Sequence, residues 1–251
     1  AHKMGNYLDS ANRYYKSEMA KEMIRLFGDY YGRWDELERA PLNPTKLLAL
    51  LDDKAVVFEQ ALAERGLTFR DFEFQFRTLA GFPSELNEVF VREGIKEQIE
   101  LCLRHRWMLY KYRLEPKRIM RYNEKYGKLD WRLPQAHAIY WSELGIEQWT
   151  AENEAFKRMQ CQKSIYQALK DAFENGKLMY LRENYNVLEM TPNLSLAEST
   201  YQAYLITIQE NPEISFVGAL GNYLAVGACD LYKFGRKKDA QSYYEKGRQY
   251  E

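Results

Sequence analysis

Apolar positions recur at spacings of three and four along most of the chain, the period of a helix buried on one face. In NPTKLLALLDDKAVVFEQALAERG, Leu47, Leu48, Leu51, Val56, Phe58, Ala61 and Leu62 keep such a face. Asn43 is placed to cap it, Pro44 suits the first helical position and Gly66 the stop, so a helix is expected over 43–66. In TFRDFEFQFRTLAGFP, Phe72, Phe74 and Phe76 alternate with the two-residue period of a strand. Thr68 and Asp71 nevertheless form a capping-box start and Gly81 an end, and no second strand is on offer, so 68–81 reads as a helix. Pro83-Ser84 opens a helical pattern reaching Leu114, in which Glu100 and Arg104 stand four apart in the order that favours an ion pair. Further helices are expected over 116–127, 134–144, 148–175, 177–190, 195–210, 213–234 and 237–250, with breaks at Asn193, Asn211-Pro212 and Gly235.

The pattern is that of an all-α protein made of antiparallel helix pairs in an irregular α-α arrangement. No Ser/Gly-rich linker divides the chain, so one domain over 4–251 is expected, with 127–134 as the one place that offers a subdivision.

The tail LAVGACDLYKFGRKKDAQSYYEKG resembles a tetratricopeptide repeat. Leu224, Gly227, Ala228 and Leu231 occupy the first-helix contact positions of that family, Gly235 the turn, and Ala240, Tyr244 and Gly247 the small–aromatic–small positions of the second helix. Two weaker copies share the spacing. One has Ile165, Ala168, Leu169 and Ala172, a turn at Gly176, then Leu181, Tyr185 and Leu188. The other has Tyr7, Ser10, Ala11 and Tyr14, a turn at Glu18, then Met23, Phe27 and Tyr30. They depart from the family at Leu181, Met23 and Glu18, and residues 40–160 do not fit it. The resemblance implies a helical surface that binds a protein partner rather than a catalyst, and it expects Tyr244 to be the buried aromatic of its pair.

Composition narrows the function classes. Lys+Arg and Asp+Glu balance at 36 each, so no global field favours nucleic acid or an anionic membrane. The longest uncharged run, Ile214 to Cys229, is shorter than the roughly 20 residues a spanning helix needs and reads as a core helix. Cys102, Cys161 and Cys229 are scattered without a CxxC pair, which suggests free thiols rather than a zinc ribbon or a disulfide framework. Reducing, cytoplasmic surroundings fit that usage. The opening AHKM leaves room for a trimmed signal or anchor and so for a soluble extracytoplasmic domain.

Catalytic chemistry finds little to hold. Of the three histidines, His2 is terminal; His105 lies three residues after Cys102 on one helix, a pair that needs more ligands to hold a metal. There is no HExxH, GxSxG, P-loop or GxGxxG. No metal and no cofactor are expected. Two stretches remain as candidate binding surfaces. From Arg104 to Lys128 nine basic residues face only Glu115 and Glu124, a net charge of +7 in a neutral chain. Arg104, Arg106, Lys111, Arg113, Lys117, Arg118 and Arg121 are interleaved there with Trp107, Tyr110, Tyr112, Tyr122 and Tyr126, a mixture suited to nucleic acid, an acidic protein or an anionic surface. In GKLDWRLPQAHAIYW, Gly127 and Pro134 frame an extended joint. Asp130, Trp131, Arg132, His137 and Trp141 cluster around it, as helix-joint architecture, a small pocket or a partner surface. The primary expectation is a non-enzymatic protein-interaction or scaffolding module. Anion binding through 104–128 and an enzyme pocket at His137 are the alternatives.

Overall fold

The computed structural model describes residues 2–150, 154–181, 184–212 and 215–250, with side chains from Tyr15 onward except those of 180–187. The protein is all-α apart from one hairpin. It divides into two compact units: Glu22–Arg121, and residues 1–21 together with 122–251.

The first unit holds the end of α1 (His2–Phe27), then α2 (Trp34–Arg39), α3 (Pro44–Leu51), α4 (Ala55–Ala63), α5 (Phe69–Leu79), α6 (Ser84–Arg92) and α7 (Lys96–Tyr112), with the start of α8 (Pro116–Tyr126). The expected caps form. The Asn43 side chain accepts from the Thr45 amide at 2.8 Å with Pro44 in the first turn, and Thr68 and Asp71 close a reciprocal capping box. As a helix, α5 turns Phe72 and Phe76 inward and leaves Phe74 exposed. Phe72 stacks on Phe82 at 5.8 Å and meets Phe58 and Phe90 edge-on, the centre of an aromatic core.

Two long helices expected from the sequence are each divided. Residues 43–66 break at Asp52, whose φ of +52° ends α3 and leads through a short 3-10 turn into α4. Residues 84–114 break at Gly94, whose φ of +70° a side chain would resist, giving α6 and α7. The turn expected at Glu18 is absent, because α1 runs unbroken from His2 to Phe27. Met23 and Phe27 therefore share a helix with the residues they were expected to pack against, and that repeat copy does not form. The side chains of Tyr7, Ser10, Ala11 and Tyr14 lie outside the described residues.

The second unit contains α9 (Pro134–Gln148), α10 (Ala155–Asn175), a hairpin of β1 (Lys177–Leu181) and β2 (Asn184–Thr191), then α11 (Ala197–Glu210), α12 (Val217–Lys233) and α13 (Lys237–Gly247). Lys16 of α1 joins it by an ion pair to Asp171 at 2.7 Å. The expectation of a helix over 177–190 is overturned: β1 and β2 pair antiparallel, with Leu178 opposite Met190. With no second helix after Gly176, the repeat copy centred there is not a helix pair.

From α9 to α13 each helix packs on the next in the chain. Tyr166 of α10 stacks on Tyr204 of α11 at 4.1 Å, Tyr204 on Tyr223 of α12 at 5.4 Å, and Tyr223 meets Tyr243 of α13 at 6.0 Å. One aromatic ring per helix thus carries the core through four consecutive helices. The tail forms its antiparallel pair, but with a different aromatic inside. Tyr243 is 4% exposed and Tyr244 60%. The helix buries Ala240 and Tyr243, three apart, and turns Tyr244 to solvent. A β-carbon on Gly227 would lie 3.1 Å from the Tyr243 ring, so Gly227 is the small residue that admits it.

Candidate binding groove

The joint between α8 and α9 is an anchor for the hairpin. Asn123 Oδ1 accepts from the Leu129 amide at 3.3 Å and from Trp131 Nε1 at 3.0 Å, fixing the extended segment after Gly127. His137, one turn into α9, donates from Nε2 to the Trp131 carbonyl at 2.9 Å. Burial, outweighing that hydrogen bond, lowers the His137 pKa. Asp130 and Arg132 form a partly buried bidentate pair at 2.8 and 2.7 Å. Asp130 Oδ2 also accepts from the Leu178 amide at 3.0 Å, while Arg132 Nη2 reaches the Leu178 carbonyl at 3.3 Å. Two side chains thereby treat β1 as a neighbouring strand would. Asn193, just past β2, donates to the Lys128 carbonyl at 3.0 Å. Four of the joint's candidates, Asp130, Trp131, Arg132 and His137, are therefore brought together and occupied by structural bonds, whereas Trp141 is half-exposed on α9.

The basic run is not laid out on one face. Arg104, 4% exposed, lies in the core of the Glu22–Arg121 unit, paired with Glu100 at 2.6 Å and donating to the Leu26 carbonyl at 2.5 Å and the Arg25 carbonyl at 3.0 Å. Arg106 pairs with Glu73 at 3.0 Å and donates to the Leu42 carbonyl. Lys111 pairs with Glu22 at 2.7 Å and Arg118 with Glu115 at 3.1 Å. Arg113 adopts the left-handed conformation that ends α7, the Lys117 amide is capped by Glu38, and Arg121 is exposed. Arg104 and Arg106 therefore supply their own unit with ion pairs to buried glutamates and with carbonyl caps, while Lys111, Arg113, Lys117 and Arg121 are exposed. Cys102 and His105 share the buried side of α7. The His105 Nδ1 donates to the Ala40 carbonyl at 3.0 Å, and burial pushes the Cys102 thiol up to about 12. Among the described residues no cluster of three or more His, Cys, Asp or Glu side chains is placed to hold a metal.

An open groove lies in the unit of α9 to α13. A groove of about 540 Å³ follows one face of α11, where Ser199, Gln202, Ala203, Ile206, Thr207 and Glu210 recur at helical spacing. Its opposite wall is Arg158, Gln162 and Ile165 of α10, with Glu143 and Ile146 of α9 and Lys125 and Tyr126 of α8 closing it. From Glu198 to Glu210 the wall is about 18 Å long at the helical rise. Ile146, Ile165, Ala203 and Ile206 make an apolar floor, and charged groups stand at both ends. At one end Glu143, almost fully buried, accepts from Lys125 Nζ at 2.6 Å and from the Tyr126 hydroxyl. Burial, and after it the Glu143 charge, raises the Tyr126 phenol well above its ordinary value, so it stays a donor. At the other end Glu210 accepts from Arg158 at 3.1 Å and Gln162 at 2.6 Å, and Gln162 accepts from Asn211 at 2.9 Å.

The sequence pattern singles out Ile165 in a repeat copy and Tyr126 in the basic run, but it places no residue in this groove. The groove's signal is the mixed polar–apolar stripe on α11, which reads as an ordinary amphipathic face until α9 and α10 stand opposite it. Comparison of the chain with protein-family models, with curated proteins and with solved structures returns no match.

Proposed function

We propose that this chain is a non-enzymatic protein-interaction module. In this reading its helical unit, stacked in a tetratricopeptide-like manner, takes a short segment of a partner protein along the α10–α11 groove. The observation that carries the reading is the groove itself: an apolar floor along a helical wall about 18 Å long, bounded by charged pairs at both ends. That form suits an amphipathic helix of about three turns, whose apolar anchors at i, i+3 and i+4 lie on the floor while polar ends meet the two charged pairs. Neighbour-on-neighbour stacking supports it, since such arrays keep their grooves without reorganising on binding. The nucleic-acid alternative draws less support, because Arg104 and Arg106 are committed to buried partners. The small-pocket enzyme alternative draws less as well, because the His137 imidazole is held on a backbone carbonyl.

The test is selection of displayed peptides on the whole protein, with counter-selection on an Ile206→Asp variant. Ile206 is half-exposed, so the substitution alters the floor at little cost to folding. Recovered peptides should carry apolar residues at helical spacing and bind the variant at least about tenfold more weakly by calorimetry, the scale of one lost apolar anchor. Peptides that bind both proteins equally would remove the groove as the site.

A further inference from the structure

We infer that a second cavity, in the Glu22–Arg121 unit, is a docking site for an acidic segment of a protein. This does not rest on the α10–α11 groove. The cavity holds about 460 Å³ and is lined by Glu22 and Arg25 of α1, Phe74 and Arg77 of α5, and Trp107 and Lys111 of α7. Three cations face one carboxylate, a net charge of +2. The carboxylate is already satisfied: Glu22 accepts from Lys111 at 2.7 Å and from the Tyr112 hydroxyl, with Arg25 at 3.7 Å. Burial alone would raise its pKa, but those hydrogen bonds and charges outweigh it and lower it, so Glu22 stays ionised and occupied.

Arg25 is held in place by a hydrogen bond from Nη2 to the Thr78 carbonyl at 2.7 Å, and Lys111 by its pair with Glu22 and by the rings of Tyr112 and Trp107. Arg77 differs. It stands partly exposed in the cavity wall and makes no hydrogen bond or ion pair among the described residues. Its guanidinium offers a planar donor fork to an incoming carboxylate. Phe74, three residues earlier on the same face of α5, is 63% exposed while its neighbours Phe72 and Phe76 are wholly buried. An open phenyl face beside a free guanidinium and two fixed cations matches a segment that carries an apolar side chain between two carboxylates.

Single-stranded nucleic acid fits less well. It needs open ring faces in series along a basic track. Here Trp107 is 1% exposed, so Phe74 is the face on offer in this cavity, and of the seven basic candidates from Arg104 to Arg121 only Lys111 lines it.

The experiment uses the whole protein at low ionic strength and three fluorescein-labelled probes: a short peptide with glutamates flanking a central phenylalanine, its lysine-for-glutamate counterpart, and a uridine oligonucleotide of matched charge. The acidic peptide should raise the anisotropy and the basic one should not. Arg77→Gln should weaken the acidic peptide about tenfold, the scale of one charge-assisted contact, and Phe74→Ser should weaken it as well. Arg77→Lys should recover part of the loss, and Lys117→Gln, a cation of the basic run outside the cavity, should change nothing. Binding should fade as salt rises. Arg77 bonds to nothing within the described protein, so its variants keep the fold, which circular dichroism checks. The inference is overturned if Arg77→Gln leaves acidic-peptide affinity unchanged, if the oligonucleotide binds more tightly than the peptide, or if no probe binds.

Discussion

Replacing Tyr243 with alanine is expected to cost about 3 kcal/mol of unfolding free energy, and the same change at Tyr244 less than about 0.5 kcal/mol. The repeat-like spacing pointed to Tyr244 as the buried ring, and the structure buries Tyr243 instead. Tyr243 is buried against Gly227, meets Tyr223 edge-on at 6.0 Å and lies beside Tyr201 at 6.4 Å, with Lys246 over its ring at 5.3 Å. Emptying a filled aromatic site costs about 3–5 kcal/mol, and contacts between aromatic rings add about 0.5–1.5 kcal/mol. Tyr243 is packed in the last helix pair, where partial collapse of α13 can recover some of the loss, so the low end applies. A loss of that size raises the unfolding constant about a hundredfold. Tyr244 points to solvent, and its side chain makes no ring contact or hydrogen bond among the described residues, so its removal deletes almost nothing. Urea titrations followed by far-UV circular dichroism measure both variants, with the denaturant slope checked for constancy. If Tyr244→Ala proves as costly as Tyr243→Ala, the face assigned to α13 is wrong and the aromatic ladder from α10 to α13 is broken at its last step.

Other consequences follow from groups buried elsewhere. Arg104→Met should destabilise by about 3–5 kcal/mol, because Glu100 is then left charged and unpaired in the core, and adding Glu100→Gln should restore part of the loss in the same urea assay. Asp130→Ala should cost about 2 kcal/mol and speed hydrogen exchange at the Leu178 amide ahead of the helical amides of α10, since that amide loses its acceptor. His105 and His137 both have pKa values held below the ordinary imidazole value by burial, which outweighs their hydrogen bonds to carbonyls. The unfolded chain therefore takes up protons first as pH falls, so this stability is complete above about 6.5 and is lost as pH drops through and below that value. The urea midpoint should fall between about pH 7.5 and pH 5, and by less in His137→Gln; an equal fall in both would show that His137 does not contribute.

The helices were legible because their ends carry local chemistry. Asn43-Pro44 and Thr68–Asp71 write their caps within a few residues, and the capping box outvoted the Phe72, Phe74, Phe76 alternation. The hairpin was not legible. Leu181, Tyr185 and Leu188 keep helical spacing, while what holds β1 extended is Asp130 and Arg132, nearly fifty residues upstream. The clustering around Gly127–Trp141 was visible as a clustering, but its partner was not, so side chains that could have formed a pocket turned out to grip a strand. The fate of Arg104 and Arg106 was hidden for a related reason. Charge counted along a sequence does not reveal which members meet Glu73, Glu100 or a backbone carbonyl, and Arg77, the cation left free in the second cavity, lies outside the run.

The interruption of one unit by the other has a consequence for biosynthesis. Residues 22–121 are contiguous and can complete their core as soon as that stretch has left the ribosome. The other unit cannot. Lys16 meets its partner Asp171 only after about 150 further residues have been made, and the tyrosine ladder is complete only with Tyr243. Lys16 must therefore wait for its partner until α10 has been made. Ribosome pausing or chaperone capture within that window would act on the groove-bearing unit and spare the one made first.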